Sequence, residues 1–524
     1  MTPSHALAPL VPACPRPRAT RRFYTRERCR ARAAALGAIL ATLVAGATSC
    51  GSGGDASPAT DDSRFFTDEQ GRVLILHGAN VASSAKTSPD RMPDITEEEI
   101  HLLSREWGFD YVRYLLSWDG VEPEPGRYDE SYFQGVEKRL DWLHAAGLHV
   151  MLDMHQDVWS VSTCGNGNPG WTVRNDGIAV ESPCRSPWSF NYFQPAVTRI
   201  FDNFWAGDGG AHGDLQQHFA AMWRAVAMRF GDHPAVIGYD VLNEPYPGSY
   251  FDKIEAGVRR SPKQGAPSAA FDVERFAPFY QRVIDAIRTV DERHWIFFEP
   301  RFGAPGNGSP SWIPRLDDPR RGTPRIAYAP HLYSAIAEAA NVYFPWIDSV
   351  AAWERERRTD VERQGGPMVI GEFGFSWSMA DASRYMTDVL DMADRLMAGW
   401  AYWAWDPGGP TGWAFYDRDT GTPNPNSDYL GRPYPQRVAG VPSAYGFDHP
   451  SRVFELTFTD RRGVSGATEI YLGAHRNYPG GWHVEASDPE GSWTSTWDDA
   501  REVLAVTTPA TGGEHRIRVL PGRE

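Results

Sequence analysis

The chain has 524 residues, 41% hydrophobic and 13% aromatic, with a formal net charge of −15. That length accommodates one large domain and a smaller one, and the acidic balance argues against a protein that grips a phosphate backbone, so no nucleic-acid partner is expected. Fifty Gly and 41 Pro fall without a fixed period, which excludes collagen-like and low-complexity architectures.

Residues 1–50 differ from everything after them. They carry eight Arg against one acid, Glu27, then an apolar stretch, "AAALGAILATLVAGATS", that stops at Cys50. A basic region, an apolar region and small residues before a cut form an export signal. The Gly- and Ser-rich segment over 51–64 reads as a flexible tether. Cys50 follows Ala-Thr-Ser, as in a bacterial lipoprotein cleavage box, although Ala47 stands where Leu is usual. A lipid anchor on Cys50 and ordinary secretion are both open, so the protein is expected to be secreted or anchored on the outside of a bacterial cell membrane. Beyond the leader no apolar run approaches the ~20 residues of a membrane span.

From residue 70 onward, apolar runs alternate with amphipathic segments. The runs are "VLILHGAN" (73–80), "FDYVRYLLSW" (109–118), "HVMLDMHQD" (149–157) and "VIGYDVLNEP" (236–245), then "HWIFFEP" (294–300), "RIAYAPHLY" (325–333), "PMVIGEFG" (367–374) and "GWAYWAWDP" (399–407). Runs of this kind are strands buried on both faces. Helices are predicted between them. The first has Thr96 as N-cap with Glu99 three residues on, and the second stops at Gly147. Eight alternations predict a (β/α)8 barrel over 65–430. A doubly wound open sheet would not need eight units, and no Gly-rich phosphate fingerprint follows the first strand. Over 431–524 short strands such as "RVFELTFTD" and "EHRIRVLP" predict a small antiparallel β-sandwich, entered through a Pro/Gly-rich connector, "YLGRPYPQRVAGVPSAYG".

Outside the leader only Cys164 and Cys184 remain. In an exported chain they are expected to form a disulfide that closes the Gly/Asn-rich loop between them. No Cys/His cluster surrounds them, so no metal is expected there, and none of the motifs implies a cofactor.

Chemistry in such a barrel gathers where the strands end. Polar residues stand there in every run: Asn80, Arg113, His155 with Asp157, Asn243 with Glu244, Glu299, His331 with Tyr333, Glu372, and Trp403. Glu244 and Glu372 end strands four and seven, across the barrel from each other. Glycoside hydrolysis needs such a pair, one carboxyl to protonate the leaving oxygen and one carboxylate to attack the anomeric carbon or activate water. Glu299 is expected to be structural, because neither role is left for it.

"LNEP" and "GEFG" on strands four and seven resemble glycoside hydrolase family 5. The resemblance implies a retaining mechanism with Glu244 as acid/base and Glu372 as nucleophile. It assigns Arg113 and Tyr333 to the nucleophile, and Asn243 to the sugar 2-hydroxyl. It also places His155, His331 and Trp403 in the site, although Trp405, two residues on, competes with Trp403. "DMHQDVWS", "NEPYPG", "AYWAWDP" and "RPYPQRVAG" narrow the resemblance to its endoglycoceramidase branch. This implies cleavage between the glycan and the ceramide of a glycosphingolipid, by a monomer that meets the membrane surface through its substrate. Lys86 and Asp157 match positions that hold the first sugar, and Trp171 is a candidate stacking residue. Other readings remain open: a family 5 endoglucanase or mannanase using the same pair, or an exported lipoprotein that binds glycolipid without cutting it.

Overall fold

The computed structural model describes residues 64–254, 270–334, 337, 340–347, 349–376, 378–405, 413–424 and 427–522. The expected export signal, Cys50 and the tether up to residue 63 lie outside the described residues. Eight parallel strands close a barrel: His77–Val81, Tyr111–Leu116, His149–Met154, Val236–Asp240, Trp295–Phe298, a sixth in two pieces (Ile326–Tyr328 and His331–Leu332), Val369–Phe373 and Gly399–Trp405. The eighth returns to the first through Trp400 opposite His77 and Ala401 opposite Gly78. The sixth breaks at Ala329-Pro330, since Pro has no N–H for a ladder. Its first piece pairs with strand five, its second with strand seven.

Local signals set the helix ends. Helix Glu97–Trp107 opens on the reciprocal Thr96/Glu99 capping box and stops at Gly108, whose φ is 65°. Helix Glu130–Ala145 opens on Asp129, whose carboxylate accepts the amides of Ser131 and Tyr132. Gly147, with φ 76°, turns the chain out of it, a left-handed conformation that costs Gly little. Among the described residues no helix is long and apolar enough to cross a membrane.

The predicted first strand is divided between two domains. Val73–Leu74 pairs with Phe66–Thr67 and with Tyr434–Val438 in a six-stranded antiparallel sheet; only from His77 does the run join the barrel. Side-chain alternation makes this possible. Val73 and Ile75 enter the sandwich core, whereas Leu74 and Leu76, with Phe66, plug the barrel interior against Met151, Phe297 and Val369.

The sandwich packs that sheet on a four-stranded one. The segment read as a connector holds two of its strands, Tyr434–Val438 and Gly440–Asp448. Its prolines hid them. Pro435 and Pro442 each sit at a shift of pairing register, and the second of these strands is an edge, where a missing N–H is tolerated. Cys164 and Cys184 form the expected disulfide, with Cα atoms 5.7 Å apart.

Candidate active site

The site is organised around one cation. Arg113, in the middle of strand two, is fully buried, and its guanidinium reaches five neighbouring strand ends. Nη1 donates to Glu372 at 2.6 Å and to Asn80 at 3.1 Å. Nε donates to Asp240 at 3.0 Å. Nη2 meets Asp153 at 2.9 Å, Glu299 at 2.9 Å and Asn243 at 3.0 Å. An ionised carboxylate survives burial only when paired and hydrogen-bonded, and Arg113 serves four at once. Asp153 and Asp240 were missed in the sequence, although a lone acid inside an apolar strand run is itself a sign of a buried cation nearby. Burial nonetheless pushes the Asp240 carboxyl up to about 6 against the pull of Arg113.

Glu372 accepts from Arg113 on one oxygen and from the Tyr333 hydroxyl, at 2.8 Å, on the other. Burial would raise its carboxyl, but His331 and Arg113 outweigh burial and hold it below the usual carboxylate range. His331 stands between the two glutamates, with Nδ1 3.1 Å from Glu244 and 3.5 Å from Glu372, and Nε2 3.2 Å from Glu299. Burial would lower its imidazole, yet Glu299 and Glu372 keep it well above its ordinary range. One oxygen of Glu244, one of Glu372 and a nitrogen of His331 all lie within 4.8 Å of one another.

Glu244 follows strand four in a left-handed conformation, φ 42°, uncommon for a residue with a Cβ. Its amide donates to Glu299 at 2.8 Å, and the Gln156 side chain donates to the carbonyls of Asn243 and Glu244 at 2.9 and 3.3 Å. Asn243 is itself pinned: its oxygen accepts from Arg113 and its amide donates to the Gln156 carbonyl at 3.0 Å.

A second group gathers beside the pair. Lys86 lies 2.7 Å from Asp157 and 4.2 Å above the Trp403 ring. His155 stacks on the same indole at 5.5 Å and is held by Asp153 at 2.7 Å. Burial would raise Asp157, but Lys86 overrides it and holds the carboxyl far below its usual range. The Asn166 side chain also donates to Asp157, at 3.0 Å. The pairing of strand eight with strand one shifts register between Tyr402 and Trp405. The two tryptophans separate as a result: Trp403 faces the cleft, while Trp405 is buried against Tyr416.

Lys86, His155, Asp157, Glu244, His331, Tyr333, Glu372 and Trp403 line one cleft of about 1070 Å³, while Arg113 and Asn243 are buried behind them. Trp171, the candidate stacking residue, is not among the lining residues. Its indole N–H donates to the Glu122 carbonyl at 3.1 Å, and its ring packs edge-on against Trp118 and His218. The cleft instead takes Trp188, just beyond the disulfide loop, and Trp413, which meets Tyr333 edge-on at 5.8 Å. Nothing in the sequence separates these indoles from Trp171, because the difference is made by partners distant in the chain. Among the described residues two triplets, Glu244–His331–Glu372 and Asp153–Asp240–Glu299, bring donor atoms close enough for a cation. In the second, Arg113 already contacts all three carboxylates.

Comparison with known proteins agrees with this geometry. Residues 70–409 match the cellulase family, glycosyl hydrolase family 5, and residues 432–519 match the glycoside hydrolase family 5 C-terminal domain. Endoglycoceramidase I of Rhodococcus hoagii is 30% identical over 473 residues, covering 85% of each chain. Endo-glycoceramidase II from Rhodococcus sp., solved as a complex with ganglioside GM3, superposes with a TM-score of 0.78 at 37% identity, covering 88% of this chain and 99% of that one. The same enzyme solved as a lactosyl-enzyme intermediate gives a TM-score of 0.77 at 38% identity, covering 88% and 100%. The chain belongs to glycosyl hydrolase family 5, in the branch of the endoglycoceramidases, and it is a glycosidase.

Proposed function

We propose that the protein is a retaining, endo-acting glycosidase that cleaves the β-linkage between glycan and ceramide in glycosphingolipids. The observation that carries the mechanism is the approach of Glu244 and Glu372, whose carboxyl oxygens come within 4.8 Å. Retaining enzymes hold the pair at about 5–5.5 Å, and inverting enzymes need roughly 6.5–9.5 Å to admit a water.

In the first step a Glu372 oxygen bonds to the anomeric carbon, the bond to the ceramide oxygen breaks, and Glu244 gives that oxygen its proton. In the second, Glu244 takes a proton from water as the water oxygen bonds to the anomeric carbon and Glu372 leaves. Arg113 and Tyr333 hold the nucleophile ionised and oriented. Lys86, His155, Asp157 and Trp403 form the wall that holds the sugar next to the bond, and the family resemblance assigns Asn243 to its 2-hydroxyl.

The GM3 complex and the lactosyl intermediate of the Rhodococcus enzyme support a glycosphingolipid substrate. The rim supports contact with the membrane that carries it. Among the described residues, Val161, Trp188, Phe190, Phe193 and Trp346 are exposed, all in segments after strands three and six, and Trp188 lines the cleft; exposed aromatics on that side of the barrel suit a lipid–water boundary. The reading includes a monomer acting outside a bacterial cell, free or held by a lipid on Cys50.

The test incubates the protein, and Glu372→Gln beside it, with lactosyl-, ganglio- and galactosyl-ceramides, with cellulose and mannan oligosaccharides in parallel. Free ceramide plus intact glycan, detected by mass spectrometry and reduced at least about 10⁴-fold in the variant, is the expected result. Cleaved glucan or mannan with untouched glycolipid would keep the pair and discard the lipid.

A further inference from the structure

Glu299 ends strand five, and its carboxylate is 1% exposed. It is the acid the sequence leaves without a catalytic role. Its two oxygens do different work. Oε2 accepts the backbone N–H of Glu244 at 2.8 Å. Oε1 accepts from Arg113 at 2.9 Å and faces His331 Nε2 at 3.2 Å. One buried side chain thus touches the main chain of the acid/base, the arginine that holds the nucleophile, and the imidazole between them. The Tyr280 hydroxyl anchors the turn from behind, accepting the Glu299 amide at 3.0 Å and donating to its carbonyl at 3.1 Å.

The contact with Glu244 is specific in its consequence. Glu244 is held at φ 42°, a conformation that a side chain with a Cβ keeps only when its surroundings over-determine it. Relaxation to negative φ would swing the carboxyl away from His331 and from the cleft. Gln156 restrains the carbonyl side of this turn, and Glu299 restrains the amide side.

Resting on the reading of Glu244 and Glu372 as the catalytic pair, we infer that Glu299 is a positioning residue for proton transfer: it fixes Glu244 where its proton reaches the leaving oxygen and seats His331 between the two glutamates. Arg113 keeps three other carboxylate partners without Glu299, whereas the Glu244 amide loses its acceptor, so loss of Glu299 acts chiefly through the acid/base.

Leaving-group dependence separates these roles. 2,4-Dinitrophenolate departs without a proton, whereas phenolate and ceramide alkoxide need one. The experiment measures kcat/KM, which reports formation of the glycosyl-enzyme, for the β-lactosides and β-cellobiosides of phenol and 2,4-dinitrophenol. Wild type, Glu299→Gln and Glu244→Gln are compared. Glu299→Gln is expected to lose about 10²-fold on the phenyl glycosides, at the low end of what general acid catalysis supplies, and less than about 5-fold on the dinitrophenyl ones. Glu244→Gln shows the same pattern at larger amplitude. Azide, a nucleophile that needs no general base, should then raise turnover of the dinitrophenyl glycosides in Glu299→Gln.

Equal losses on both leaving groups, or no loss on either, would overturn the inference. Absence of the pattern in Glu244→Gln would overturn it as well, by removing Glu244 as the acid. Failure on glycosphingolipids with the aryl pattern intact would discard only the lipid. Should Glu299→Gln be unfolded by circular dichroism, Glu299→Asp carries the same comparison.

Discussion

The two ends of the barrel bury titratable groups in opposite ways. At the rim Asp157 is buried but touches Lys86 at 2.7 Å, and its carboxyl is held far below the usual range. At the base Asp110 is buried behind the His77 amide with no cation in contact, and burial pushes it up to about 7. Burial also lowers His77 well below its ordinary value, and it raises Asp394 to about 6 even though Arg432 lies 2.8 Å away. The residue types are the same at both ends. The balance of burial against nearby cations decides each case: Lys86 wins at Asp157, whereas burial wins at Asp110, which no cation touches, and also at Asp240 and Asp394 although Arg113 and Arg432 touch them.

The comparison breaks most severely at Arg113. Arg113→Met leaves four buried carboxylates without their shared cation, and removing one partner of a buried pair costs about 3–5 kcal/mol. Urea unfolding should show a loss of that size; a loss below about 1 kcal/mol would mean that the carboxylates do not depend on the guanidinium.

At the base the sign reverses. Asp110 binds its proton more tightly folded than unfolded, where a carboxyl titrates near 3.9. Its contribution to stability is therefore complete below about pH 4 and is lost as pH rises through about 7. Asp110→Asn abolishes that dependence, so the variant should gain on wild type between pH 4.5 and 8, by up to about 3 kcal/mol. A difference in unfolding free energy that is the same at both pH values would refute the description of the base.

The smallest effect sharpens the contrast by making the rim resemble the base. Lys86→Met leaves Asp157 to burial, and its carboxyl rises into the accessible range. We expect kcat/KM to fall about 10-fold, the loss of one hydrogen bond to a charged group, and its acidic limb to move to higher pH. A pH profile that does not move would show that Lys86 does not govern Asp157.

Much of this was visible in the sequence, for physical reasons that also mark where vision failed. Strands buried on both faces read as apolar runs, so the barrel could be counted, and Glu244 and Glu372 stood out as acids at matched strand ends. The Thr96–Glu99 box is a local hydrogen-bond pattern and was read directly. The division of 73–81 between two domains was not readable, because both destinations are apolar and no residue marks the switch. Tyr434–Val438 and Gly440–Asp448 were hidden by prolines that only a register shift accommodates. Trp171 and Trp188 have the same side chain. What separates them is a hydrogen bond from Trp171 to the Glu122 carbonyl, and composition cannot report it. Glu299 was left without a role in the chemistry, and its hold on the Glu244 amide belongs to the closed barrel alone.

The shared run 73–81 has a consequence for biosynthesis. Val73–Leu74 leaves the ribosome ahead of the whole barrel, yet it pairs with Arg437 and Val438, which emerge only after the eighth barrel strand. The segment that plugs the barrel floor must wait, one edge unpaired, for nearly the entire chain to be made. Barrel and sandwich cannot mature in sequence as separate domains do; the floor is sealed last, by the same strands that complete the sandwich.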